Sequence, residues 1–143
     1  MNDEDKKKNF REISDALVLP LWTREHCLSG SYERHFVGYS DDARNPMAYL
    51  YGEGDAVELN LTFDPETCQK GRFVFAAIFP DDCPVVDRAK VTTGLSERIK
   101  ETPYEFEAEE HEVAVSGEFT RGNIEEVKAT ILFVDDAVRA LYK

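Results

Sequence analysis

The stretch Arg72–Pro80 reads RFVFAAIFP, a run of strand length that has no polar side chain between its ends. Alternate side chains of a strand point to opposite faces, so this stretch presents two apolar stripes. Each stripe needs cover, either from the same chain or from another molecule. We expect the bulkier phenylalanine stripe to face the core. The two stripes are Phe73, Phe75, Ala77 and Phe79 on one face and Val74, Ala76 and Ile78 on the other.

The strand-like runs around this stretch differ from it because each has one polar face. In Ala56–Phe63 the apolar positions alternate with polar ones, and Glu112–Thr120 alternates in the same way. This pattern is typical of a sheet with one wet face. An apolar strip on such a face usually marks a contact surface. The sequence does not decide which stripe is the outer one, so the candidate protein-contact residues come from both: Val74, Ala76, Ile78, Phe73 and Phe75.

The part of the chain before Arg72 predicts one helix, a strand and a hairpin. Apolar residues at helical spacing predict the helix, and Pro20 is expected to end it. Residues 52–55, GEGD, form a good hairpin connection between two strand-like runs. The predicted elements are a helix at 3–19 and strands at 32–39, 47–51 and 56–63.

The part of the chain after Pro80 predicts a helix, a second hairpin and a final helix. Asp81, Asp82 and Pro84 are typical of a helix start, and Gly94 weakens the middle of the helix that follows. This helix is expected to end near residue 101, with apolar positions at Val85, Val86, Ala89, Leu95 and Ile99. The hairpin is predicted at 104–107 and 112–120.

The final helix has the clearest pattern in the chain. Asn123 is expected to cap it, with Glu126 three residues later completing a capping box. Its buried stripe is expected to be aliphatic, widened by Phe133, Ala137 and Ala140. The whole order predicts an α+β fold, built by residues 1–143 as a single domain. We expect an antiparallel sheet with helices packed mainly on one face, in the order α-β(3-4)-α-β-β-α.

The charge of the chain argues against several classes of partner. Twenty-nine acidic residues against 17 basic ones give a net charge of −12. A field of this sign repels phosphate backbones and anionic membrane surfaces. The only basic cluster is Lys6–Lys8, which lies near three acids and is typical of a solvated helix end. We therefore expect neither nucleic acid nor a membrane as a partner.

Cysteine usage indicates a reducing compartment. Cys27, Cys68 and Cys83 are an odd number at wide spacings, which fits a cytosolic protein better than a disulfide scaffold. The first residues, MNDEDKKKNF, lack the features of a signal peptide, and no apolar run reaches membrane-spanning length. We expect a cytoplasmic location.

No pattern in the sequence predicts a metal, a cofactor or a catalytic site. His26, His35 and His111 lack the paired ligand spacing of zinc sites, and no local signature supports Cys–His catalysis. The pair Asp135-Asp136, with Arg139, fits ordinary pairing on a helix surface. We expect a protein that is not an enzyme.

The acidic stretch Glu105–Glu112 carries five glutamates in eight residues. Such a stretch is more often a solvated hairpin edge, which discourages strand addition, than an acid-base site. A cationic client could still use it.

Two C-terminal stretches are joined by a helix: RFVFAAIFPDDCP at 72–84 and TPYEFEAEEHEVAVSGEFTRGNIEEVKATILFVDDAVRALYK at 102–143. Together they resemble the type III secretion chaperone-like fold and, within it, the YbjN-type group of bacterial proteins. The likeness lies in an apolar strand that ends at a proline, a helix, a hairpin and a final aliphatic helix. It covers residues 70–143, and the first half matches only in element order. The resemblance implies a non-enzymatic, often dimeric domain that binds another protein, as a chaperone or as a regulator.

Two hypotheses of different classes remain open. The first is a protein-binding module that dimerises or captures another protein through the apolar strip and an adjacent helix face. The second is a small-molecule-binding domain or enzyme with an aromatic-lined pocket. The residues that would line this pocket are Trp22, Tyr32, Tyr39, Tyr49 and Tyr51.

Overall fold

Three helices cover one face of a six-stranded antiparallel sheet in the computed structural model. The structure describes residues 2–22, 35–40, 46–52 and 57–142, and for residues 22, 35–40, 51 and 52 it describes the backbone alone. The predicted α+β class and the predicted order, with four strands before the second helix, are confirmed. The elements are α1 (Asp3–Trp22), β1 (His35–Ser40), β2 (Met47–Gly52), β3 (Val57–Phe63), β4 (Lys70–Ile78), α2 (Val85–Ile99), β5 (Glu105–Ala108), β6 (Glu112–Thr120) and α3 (Ile124–Arg139).

Strand β4, which carries the apolar stretch, lies inside the sheet. The sheet order is β1-β2-β3-β4-β6-β5, so β4 lies between β3 and β6, and β6 pairs with it along its whole length. Phe75 lies opposite Leu59 of β3 and Val115 of β6. Both hairpins form as predicted, although the turn at 53–56 lies outside the described residues.

The core lies between this sheet and the helices. The phenylalanine stripe of β4 packs there as expected, with Phe73 and Phe75 fully buried. The inner faces of β3 and β6 contribute every second residue, as alternation predicted. Helix α1 lies against β1, β2 and β3, α3 against β4 and β6, and α2 against β5, while α3 also contacts both other helices. The helical contribution to the core is mostly aliphatic: Ile13, Leu17, Leu21, Leu95, Ile99, Val127, Ile131, Val134 and Val138.

The first helix is longer than the sequence predicted. Pro20 was expected to end it, but α1 continues to Trp22. Proline lacks an amide hydrogen and is unfavourable inside a helix. Burial of Val18 and Leu21 on either side of Pro20 provides apolar contacts that favour continuing the last turn.

The apolar pattern of α2 is only partly buried. Leu95 and Ile99 reach the core as predicted, whereas Val85 and Val86 are 70% and 64% exposed and Ala89 is also exposed. The first turns of α2 thus make little contact with the sheet. Gly94 does not interrupt the helix, which ends at Ile99 rather than near 101.

Two predictions about α3 are wrong in detail. A short 3-10 turn precedes α3, and Thr120 and Asn123 form a capping box around that turn, with the Asn123 Oδ1 accepting from the Thr120 N–H at 2.7 Å. The Asn123 side chain therefore does not cap α3. Phe133 does not widen the buried stripe, since 39% of it is exposed.

Asp135 is not on the surface as predicted, since only 1% of it is exposed. Its Oδ2 accepts a hydrogen bond from the Arg139 Nε at 3.1 Å, which confirms the predicted pairing but places it partly inside the fold. A buried carboxylate requires such a partner, because an unpaired charge in the core is costly.

In the described part of the chain, no helix is both long and apolar enough to cross a membrane.

Candidate functional site

The face of the sheet that the helices leave uncovered, here called the open face, carries a strip of small and apolar side chains. Val74, Ala76 and Ile78 of β4 point to this face, because the residues between them are buried on the other. On β6 the neighbours of Val74 and Ala76 are Ser116 and Ala114. We call these five residues the floor.

The floor is accessible although it lies near the middle of the sheet. Val74 is 43% exposed, and the other four floor residues are half-buried. The side chains at positions 76, 114 and 116 are small, so they project only a short distance from the sheet. On a one-sided antiparallel sheet the outward positions are usually polar, so the apolar run on β4 is unusual.

The structure divides the five predicted contact residues between the two faces. Val74, Ala76 and Ile78 lie on the open face, where a partner could reach them. Phe73 and Phe75 are removed from the candidate surface, because they are fully buried between the sheet and the helices. This corrects the sequence-based set, which drew on both stripes.

Glutamates surround the floor on three sides. In one row of the sheet, Glu58 on β3 precedes Ala76 and Ala114, and Glu107 on β5 follows them. Glu105 lies next to Ser116, and Glu112 lies next to Ile78. We call these four glutamates, Glu58, Glu105, Glu107 and Glu112, the acidic rim.

The rim carboxylates influence one another. Burial raises the pKa of the Glu112 carboxyl, and the negative charge of Glu109 and a hydrogen bond with its side chain raise it further. The charge of Glu58 acts in the same direction from across the floor. On the opposite side, the Asn60 Nδ2 donates to the Glu58 Oε1 at 3.0 Å, which holds that carboxylate beside the floor. The rim is thus a site of concentrated negative charge.

The other end of the open face differs in charge. Lys70 and Arg72 are exposed there, and Arg72 is paired across the strands with Glu118. With two basic side chains and one acidic side chain, this end carries no excess of negative charge. The excess of negative charge is therefore concentrated around the floor.

The aromatic pocket of the second hypothesis falls mostly outside the described residues. Tyr32 lies in an undescribed segment, and the side chains of Trp22, Tyr39 and Tyr51 are not described either. Tyr49 is 37% exposed on the open face and lies opposite Asn60.

A shallow cavity near α1 is lined by described residues other than those predicted for the aromatic pocket. Its volume is about 140 Å³, and Lys6, Phe10, Pro46 and Cys68 are among its lining residues. Sites for small molecules are usually larger, about 300–1,000 Å³. Tyr49 is not among the described residues that line this cavity.

The candidate metal ligands that the structure describes are dispersed. Within residues 2–22, 46–50 and 57–142, no three His, Cys, Asp or Glu side chains are grouped so as to hold a metal ion. His111 is exposed on the β5–β6 hairpin, Cys68 is buried in the β3–β4 loop, and neither Cys68 nor Cys83 forms a disulfide. His26, Cys27 and the His35 side chain lie outside the described residues.

Sequence reasoning singled out the acidic stretch Glu105–Glu112, which supplies three of the four rim glutamates, but it did not place them beside the floor with Glu58. It also did not identify the contribution of β6 to the floor. Alternation in Glu112–Thr120 places Ala114 and Ser116 on the wet face, which is a usable signal. Their position beside Val74 and Ala76, however, depends on the pairing of β4 with β6. Strands this far apart in sequence give no local sign of such pairing.

Comparison with known proteins adds no relative: no family model, no curated protein and no solved structure matches the chain. The geometry of the open face must therefore support any functional conclusion by itself.

Proposed function

We propose that this protein is a non-enzymatic protein-binding module, chaperone-like or regulatory, that binds another protein or a second copy of itself through the open face. The observation that carries the proposal is the exposure of Val74 near the centre of the sheet. Water contact with an apolar strip at this position is unfavourable, and a partner that covers it removes that cost.

The surroundings of the strip support a binding role. The floor is built on two paired strands inside the sheet, so its residues hold fixed positions before a partner arrives. A preorganised apolar centre with a polar rim is the usual anatomy of a protein interface. The resemblance to YbjN-type and type III secretion chaperone-like proteins points to the same class of function, with a dimer as one form.

The proposal places the protein in the cytoplasm. Cys68 and Cys83 are free thiols, which is the usual state in a reducing compartment. The small-molecule alternative depends on side chains of which only Tyr49 is described, and Tyr49 is exposed on the open face.

A pair of matched variants tests the proposal. Val74→Asp places a charge in the floor, and Val86→Asp places the same charge on the exposed surface of α2. We expect the wild type and Val86→Asp to self-associate in sedimentation velocity or to retain a shared protein partner, and Val74→Asp to lose it. Identical behaviour of all three proteins would reject the open face as the binding surface.

A further inference from the structure

The charges of the open face indicate whether the molecule bound there is a second copy of the chain or another protein. This inference rests on the function proposed above. On the described strands this face carries five glutamates and only two basic side chains: Glu58, Glu105, Glu107, Glu112 and Glu118 against Lys70 and Arg72. Stacking two copies would double this excess, in a chain whose net charge is already −12. A cationic partner would neutralise it, which favours another protein.

The spacing of the rim indicates the shape of that partner. Glu58 and Glu107 lie at the two ends of a row of four strands, with Ala76 and Ala114 between them. Neighbouring strands are about 4.8 Å apart, so the two glutamate positions are separated by about 14 Å. An α-helix with its side chains is about 10–12 Å across. A helix therefore fits between the two sides of the rim.

An extended segment fits this surface less well. A strand that lies on the face of a sheet, rather than along its edge, points its backbone N–H and C=O groups sideways, so these groups gain no hydrogen-bond partner from the floor. Unpaired backbone groups in such a place are costly. A helix satisfies these groups internally and presents only side chains.

We propose that the open face binds a basic amphipathic helix of another protein. The apolar stripe of that helix contacts Val74, Ala76 and Ile78, while Lys or Arg side chains beside the stripe reach Glu58 on one side and Glu105 and Glu107 on the other. The partner helix thereby adds a third layer to the fold, on the face opposite α1, α2 and α3. Recognition of an apolar stripe at helical spacing is a common mode of peptide binding.

The environment of the Glu112 carboxyl is consistent with binding of a basic helix. Burial and neighbouring acidic groups raise the pKa of its carboxyl. A cation from the partner at this end of the floor would stabilise the charged form and relieve the repulsion with Glu109 and Glu58.

Three synthetic peptides of about 18 residues test the proposal, a length at which a helix is marginal alone and is stabilised by binding. The first has leucines at helical spacing flanked by lysines. The second replaces the lysines with glutamates, and the third keeps the composition of the first but scrambles the leucine stripe. We expect the first peptide alone to bind the labelled full-length protein, with amide shifts confined to β3, β4, β5 and β6, and with affinity that falls as salt is added.

The rim is tested with two double variants of equal charge. Glu58→Gln with Glu107→Gln should weaken binding of the first peptide about tenfold. The control, Glu97→Gln with Glu101→Gln at exposed positions in and just after α2, removes the same net charge and should leave the affinity unchanged. Equal losses in both variants, equal binding of the glutamate peptide or shifts that map to the helices would overturn the proposal.

The outcomes also separate this inference from the function on which it rests. If the peptides fail to bind but self-association or partner capture still depends on Val74, the helix proposal is wrong and the binding function stands. If neither peptide binding nor any Val74-dependent association is found, both are wrong.

Discussion

The ring of Tyr104 lies directly against the backbone of Gly117, so that a Cβ atom added to Gly117 would come within 2.6 Å of the Tyr104 Cδ1. Tyr104 precedes β5 and Gly117 lies in β6, where the ring fills the space that a side chain would occupy. The Tyr104 ring also meets Phe73 edge-on, with ring centroids 5.3 Å apart. This contact joins the C-terminal hairpin to the central strand beneath the open face.

Gly117→Ala is expected to destabilise the protein by about 1–3 kcal/mol, because the ring of Tyr104 is held by Phe73 and cannot move away freely. Gly94→Ala is the matched control, since nothing lies within 4 Å of its added Cβ and alanine favours the helix by up to about 1 kcal/mol. Urea denaturation measures both free energies of unfolding. Equal effects of the two substitutions would contradict the close contact.

Substitutions in β4 should separate its two stripes. Phe75→Ala is expected to cost about 3–5 kcal/mol, because it removes a fully buried aromatic ring from the core. Val74→Ala, one residue away, should cost less than about 1 kcal/mol, because 43% of Val74 is exposed. Comparable losses at both positions would show that the open face is covered within the fold itself.

Asn9 links three parts of the structure, so its removal should be costly. Its Nδ2 donates to the Thr67 carbonyl oxygen at 3.1 Å, and its Oδ1 accepts from the Arg121 guanidinium. Asn9→Ala leaves these partly buried groups with fewer partners, and we expect a loss of about 1–3 kcal/mol in the free energy of unfolding. Glu12→Gln is the control: this residue also contacts Arg121, at 2.9 Å, but in an exposed pair that contributes at most about 1 kcal/mol. A larger loss for Glu12→Gln would contradict the assignment of Asn9 as the link.

The rim should make stability depend on pH through Glu112. Because its pKa is raised in the folded protein, the folded state binds more protons than the unfolded state between the ordinary and the raised value. Stability therefore falls as the pH rises through this window. Glu112→Gln should be more stable than the wild type at pH 7, and the difference should disappear below about pH 4, where the carboxyl is protonated in both states.

Denaturation curves over this pH range check the prediction, with Glu97→Gln as a control for the loss of one charge. A Glu112→Gln variant that is less stable than the wild type at pH 7 would contradict it. A carboxyl carbon titration of Glu112 by NMR reports the direction of the pKa shift independently.

Much of the fold is contained in local patterns. Alternation in β3 and β6 predicted which residues would be buried, and the bulk of the phenylalanine stripe of β4 predicted that it would face the core. Local patterns failed where distant contacts decide the outcome. Val85 and Val86 belong to the apolar pattern of α2 but are exposed, whereas Asp135 looks like a surface residue and is buried beside Arg139.

The candidate site needed the strand order as well as the pattern. The sequence alone identified Val74, Ala76 and Ile78 but included Phe73 and Phe75, since either stripe of β4 could face outwards. Burial decides between the two stripes. The acidic rim emerges only when β3 and β5 are placed on either side of β4 and β6, because Glu58 and Glu107 are far apart in sequence.

The most direct test of the binding function compares proteins captured by three immobilised baits: the wild type, Val74→Asp and Val86→Asp. Each bait is first shown to be folded by its denaturation curve, and its self-association is measured by sedimentation velocity. A specific protein, or a second copy of the chain, should be retained by the wild type and by Val86→Asp and lost by Val74→Asp. Retention of the same proteins by Val74→Asp and the wild type, with unchanged self-association, would contradict a binding role for the open face.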